Sequence, residues 1–182
     1  MICKTDLERK ATEMPFKQVE LVINYKVRFL CTVPYPNHRK GCPNYNQRKS
    51  CPPNCKKIED LIYTDSVVVY AIWSVFNFGF HVKKMEQKHP DWSRRQLECC
   101  LYWQGTARKR LHQEIEMFLK KWNKFSWLVI CTPEACGVDI TATMKKIGYE
   151  LEWPPKNITY QVAVAGLSKP PRKVNNDSRT NT

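Results

Sequence analysis

Four cysteines carry the chemistry this sequence offers: Cys31, Cys42, Cys51 and Cys55, spaced C-x10-C-x8-C-x3-C. The last three lie in the stretch HRKGCPNYNQRKSCPPNCKK, which contains six lysines or arginines and no acid. Thiolate, not thiol, ligates metals, and neighbouring cations favour the deprotonated form. Arg39, Lys40, Arg48, Lys49, Lys56 and Lys57 supply that charge. Prolines after Cys42 and Cys51 stiffen the chain and lower the entropy lost when it wraps an ion. Zinc sites usually pair cysteines two to four residues apart, and only Cys51 and Cys55 approach that spacing. A thiolate-held iron–sulfur cluster of the 4Fe-4S type fits at least as well, with zinc as the alternative. Cys31 is open between core packing and fourth ligand. His38, beside Arg39 and Lys40, reads first as a solvated surface group and second as a ligand.

The bulk numbers frame that site. The chain has 182 residues, nine cysteines and a formal charge of +13, with 42% hydrophobic and 12% aromatic residues. Such a length buries a core without disulfides. The start of the chain has no apolar leader, and no apolar run reaches the roughly 20 residues of a spanning helix. A cytoplasmic location is therefore the default expectation, with no membrane partner. In that compartment a cysteine cluster points to metal rather than to disulfides. The positive charge favours a polyanion, and nucleic acid is the leading class. Arg39, Lys40, Arg48 and Lys49 in the loop, with Arg94, Arg95, Lys109 and Arg110 further on, are the candidate phosphate contacts.

Catalytic signatures are missing from the sequence: no G-x-S-x-G, no H-E-x-x-H and no phosphate-binding glycine loop. If only three cysteines ligated a cluster, one iron would stay open, and a nucleic-acid or nucleotide modification step is the extension of that idea. The alternatives are a non-catalytic zinc-stabilised module that binds nucleic acid, and a partner-binding protein whose metal only pins the loop. Cys131 and Cys136 bracket a helix start, where thiol acidity rises. They read first as packed cysteines and second as a reactive pair or further ligands. Cys100 reads as core, and Cys3 carries no signal.

Cys42-Pro43-x-Tyr45 followed by Cys51-Pro52-Pro53 resembles the signature of a family of unknown function labelled predicted metal-binding proteins. Gly137-Val138-Asp139-Ile140, Gly148-Tyr149 and Val162-Ala163-Val164-Ala165-Gly166-Leu167 are similar to that family's closing segment. The likeness implies metal binding and no particular reaction. Two departures stand out: Arg39 replaces a further cysteine, and the second, ferredoxin-like cysteine group is reduced to Cys131 and Cys136. The resemblance thus implies one metal site, its remaining ligand being Cys31, Cys55, His38 or none.

The elements that must position these residues follow from periodicity. Alternation of apolar and polar residues from Val19 to Cys31 predicts a half-buried strand, or a pair of strands with a bend near Asn24, and the thiol loop comes after it. A short helix is expected from Cys55 to Tyr63, capped by Asn54, then a buried strand from Ser66 to Val75. Helical spacing runs from Pro90 to Trp122 with a break at Gln104-Gly105-Thr106. Phe125 to Cys131 reads as a strand, and Thr132 to Ile147 as a helix stopped by Gly148. Tyr149–Trp153 and Ile158–Gly166 read as closing strands. Together these predict an α/β or α+β fold with helices on a mixed β-sheet. A single domain is expected over residues 1–168, followed by a disordered basic tail over 169–182.

Overall fold

The computed structural model describes residues 14–34, 38–64, 69–122 and 126–170. Strands β1 (Phe16–Gln18), β2 (Val69–Phe76), β3 (Trp127–Ile130) and β4 (Thr159–Leu167) form one sheet in the order β1-β2-β4-β3. Helices α1 (Ile58–Leu61), α2 (Phe78–Lys88), α3 (Arg94–Leu97), α4 (Cys100–Lys121) and α5 (Ile140–Lys146) accompany it, with 3-10 helices at Tyr25–Thr32 and Pro133–Cys136. The fold is α+β. Among the described residues every strand pairing is antiparallel, so the parallel component of a mixed sheet does not form there.

The alternating side chains of β2 divide the molecule. Val69, Ala71 and Trp73 join Ile58, Ile62, Val138, Ile140, Met144 and Val164 on one face. Tyr70 and Ile72 join Leu111, Ile115, Phe118, Ala163 and Ala165 on the other. The first face is covered by α1, the Pro133–Cys136 helix and α5, and the second by α4. Small residues let α4 approach: Ser74 hydroxyl donates to the Ala107 carbonyl at 3.3 Å. A third cluster, built on Phe76, Phe78, Val82, Leu97 and Trp103, packs α2 and α3 against the start of α4, and Cys100 lies against it.

The long strand expected over Val19–Cys31 is not formed. Ladder pairing with β2 stops at Gln18. The chain then turns to the segment after the Pro133–Cys136 helix. Asn24 N–H donates to the Gly137 carbonyl and Asp139 N–H to the Val22 carbonyl, each at 2.8 Å. Asn24 next caps a 3-10 helix, accepting from Lys26 N–H at 3.1 Å. Val19 and Leu21 pack on the core but Ile23 is exposed, so the period of two holds only at the start of the stretch.

Other boundaries also move. Asn54 does not cap α1; its amide donates to Asn46 at 3.1 Å, and α1 starts at Ile58 behind Lys57. The helical stretch after Pro90 breaks at Glu98–Cys99, where the Ser93–Gln96 capping box has made α3 a separate turn. Gly105 sits inside a continuous α4. Gly137, at φ +95°, ends the Pro133–Cys136 helix, so α5 begins afresh with Asp139 accepting from Ala142 N–H. Tyr149–Trp153 is not a strand, although Tyr149 is buried against Trp73. At the expected tail, Lys169 is held to α1 through the Leu61 and Glu59 carbonyls; residues 171–182 lie outside the described residues. Among those described, no helix is long and apolar enough to cross a membrane.

Candidate metal centre and basic surfaces

The thiol loop has almost no core, and backbone bonding orders it instead. Tyr45 N–H donates to Cys42, Gln47 to Asn44, Cys51 to Arg48 and Asn46 to Pro52, all between 2.8 and 3.1 Å. Two bonds pair the four candidate ligands. Cys42 N–H donates to the Cys31 carbonyl at 2.7 Å, and Cys55 N–H to the Cys51 carbonyl at 3.0 Å. Gly41, at φ +78°, permits the first: a Cβ there would lie 2.6 Å from the Cys31 oxygen. A residue with a side chain would push the two cysteines apart.

A 3-10 helix repeats every three residues, which places Tyr25, Arg28 and Cys31 along one edge. All three engage the thiol side. Tyr25 hydroxyl donates to Glu59 in a short bond, and its ring packs against Gly137, where a Cβ would come within 2.4 Å of ring carbons Cδ1 and Cε1. Arg28 donates to the Pro53 carbonyl at 3.1 Å, the Cys55 carbonyl at 3.0 Å and the Cys55 sulfur at 3.4 Å. The edge that carries Cys31 therefore also clamps the loop that carries Cys55.

All eight described cysteines are free thiols. Burial raises the Cys31 pKa, and charge on Cys42, Cys51, Glu134 or Cys55 raises it further, so these thiols lie within electrostatic reach. A cation shared among them relieves that mutual repulsion. The donor set fits a thiolate-bound metal in chemistry, with four sulfurs on turns, stiffened by proline, and a guanidinium touching one of them. The side chains do not yet converge: among the described residues, no three His, Cys, Asp or Glu stand in a metal-ligating arrangement. Cys55 is also engaged elsewhere: its thiol donates to the Ala135 carbonyl at 2.7 Å, so its ligation requires giving up that bond. His38 closes the turn to Gly41 through its backbone carbonyl.

Cys136 is the neighbour that spacing along the chain does not reveal. It is 4% exposed and Cys55 is 7% exposed. Burial first, and then Cys55, pushes its thiol up to about 11. Cys131 is exposed rather than packed in the core. The only advance signal was their position at a helix start, which gives no indication that Cys136 would face Cys55.

The basic residues divide between the two faces of the sheet. Arg39, Lys40, Arg48 and Lys49 are exposed on the thiol loop. Arg94, Arg95, Lys109 and Arg110 are exposed on α3 and α4, on the opposite side. There Arg94 pairs with Glu98 at 2.5 Å, and Arg110 donates to the Val75 carbonyl while lying over the Phe76 ring. The two groups do not form one surface. Compared with known proteins, the chain matches no family model, no curated protein and no solved structure.

Proposed function

We propose that this is a metal-binding protein whose thiol loop holds one metal centre through Cys31, Cys42, Cys51 and Cys55, beside a basic surface suited to nucleic acid or another polyanion. The carrying observation is that backbone bonds pair Cys42 with Cys31 and Cys55 with Cys51, while Cys42, Cys51 and Cys55 all act electrostatically on Cys31. An iron–sulfur cluster of the 4Fe-4S type is the favoured occupant, since four thiolates complete its ligand set. Bound there, it would supply redox or Lewis-acid chemistry. The chain's own residues have separate tasks. Arg28 offsets thiolate charge at Cys55, Gly41 lets the Cys31 and Cys42 backbones meet, and Tyr25 holds the helix in place.

The Cys51–Cys55 turn also favours a second reading, a non-catalytic zinc-stabilised module, because a close cysteine pair is what a tetrahedral zinc site uses. Elemental analysis joined to the absorption spectrum of oxygen-free protein separates the two. Iron with a visible band at roughly 400 nm supports the cluster, and colourless protein with stoichiometric zinc supports the module. Cys42→Ser and Cys51→Ser each release the metal in either case. Full metal content in both variants would refute the site.

A further inference from the structure

Glu20 and Glu59 are consecutive acids in this chain; the 38 residues between them carry eight lysines or arginines and no carboxylate. The fold gathers this stretch on one side of the sheet. On the Tyr25–Thr32 helix, the edge Tyr25-Arg28-Cys31 faces the thiols, so the next edge, Lys26-Phe29-Thr32, faces outward. Phe29 is 66% exposed and Leu30 62%, with Val33 beyond them also exposed. The Arg39-Lys40 turn lies alongside, because Gly41 packs on the Cys31–Thr32 backbone. Both its side chains are exposed, as is Lys26. Among the described residues, carboxylates that come near belong to other segments: Glu59 is taken by the Tyr25 hydroxyl, Asp60 follows it on α1, and Glu134 stands at the Pro133–Cys136 helix.

We propose that this face docks single-stranded nucleic acid, with Phe29 as the stacking surface for an unpaired base and Lys26, Arg39 and Lys40 contacting the flanking phosphates. Cations explain attraction to any polyanion, and the bare aromatic ring among them narrows the class. A duplex presents its phosphates outward and keeps its bases stacked, so it leaves Phe29 and Leu30 in water. A single strand offers base faces to cover them. The α3–α4 side is a poorer site because Glu98 and the Val75 carbonyl already engage Arg94 and Arg110.

The proposal rests on the polyanion-binding half of the reading above and not on the metal. The test measures binding of the full chain, as purified with its metal, to a fluorescent single-stranded oligonucleotide of about 20 nucleotides in DNA and RNA forms, spanning several footprints of this size. Phe29→Ala is expected to weaken binding about tenfold or more, the ordinary effect of losing one stacked base. Arg39→Gln with Lys40→Gln is expected to flatten the logarithmic salt slope by about 1.4, at 0.7 per phosphate contact. Arg94→Gln with Lys109→Gln on the far side leaves affinity unchanged, and the matching duplex binds more weakly. Thermal melting confirms that each variant is folded. The proposal is overturned if wild-type protein does not bind the strand, if folded Phe29→Ala binds as wild type, or if the far-side pair weakens binding as much as the loop pair. A protein found metal-free that still binds in the expected pattern removes the metal reading and leaves this one standing.

Discussion

The two faces of the sheet are held together by different forces. On the α4 face, Phe118 is fully buried and packs edge-on against Phe16 and Trp127, with Tyr70 tilted beside it. Removal of apolar surface from water dominates there. On the thiol face the inner layer is equally apolar, but the outer layer is a chain of turns tied by backbone bonds and by Tyr25 and Arg28. Each such bond contributes only about 1 kcal/mol net. The α4 face should therefore hold its shape unaided, while the thiol face gains most from a bound ion.

Five substitutions break or sharpen that contrast. Phe118→Ala should cost about 3–5 kcal/mol in denaturant unfolding, by the same amount with and without metal, because the site lies across the sheet. A cost that depends on metal would mean the faces are coupled. Gly137→Ala combines a left-handed backbone with a clash against the Tyr25 ring, at about 2–4 kcal/mol. It should weaken metal retention as well, read by titration with a chelator. Its counterpart on the other face, Gly105, has open space around it inside α4. Gly105→Ala should stabilise by up to about 1 kcal/mol, and a loss instead would place an unseen contact there.

Arg28→Gln removes the donors to Pro53 and Cys55. It should cost about 1–3 kcal/mol and speed metal loss, while α4 keeps its amide protection in hydrogen exchange. The smallest effect is expected at Glu114, whose Oε2 is buried without a hydrogen-bond partner and whose pKa is raised by burial. The folded state holds the proton more tightly than the unfolded chain. Stability therefore falls as pH rises from the ordinary carboxylate value through the raised one. Glu114→Gln should raise the melting temperature by about 1 °C at pH 7 and change nothing at pH 3, where wild type is already neutral. An equal gain at both pH values would remove charge as the cause.

The sequence was most legible where one force acted alone. The run of Val, Ile and Trp in β2 and the apolar spacing of α4 appear where periodicity placed them, because both bury a continuous side. Prediction failed where several weak local options competed. Val19–Cys31 alternates like a strand, yet the ladder with β2 covers Phe16–Gln18 and ends with the Val19 N–H donating to the Val69 carbonyl, after which Asn24 and Val22 bond to Gly137 and Asp139 instead. The α2 helix was hidden because Phe78 and Phe80 continue the apolar run of β2, and only the Asn77 cap, accepting from Phe80 N–H at 2.9 Å, marks the change. At the site, the loop cysteines were legible from spacing and charge. Cys136 was not, since nothing along the chain says that residue 136 will face residue 55.

Composition and local pattern by themselves determined the acid-free basic stretch, the thiols within it and the turns that proline and asparagine impose, because these depend on neighbours along the chain. Only the tertiary structure decided that Cys31 would ride on a 3-10 helix with Tyr25 and Arg28, that Cys136 would lie beside Cys55, and that the cations would part to opposite sides of a sheet. Those outcomes follow from which backbone donors and apolar faces remain available once distant segments have packed. A single chain read in order does not contain that competition.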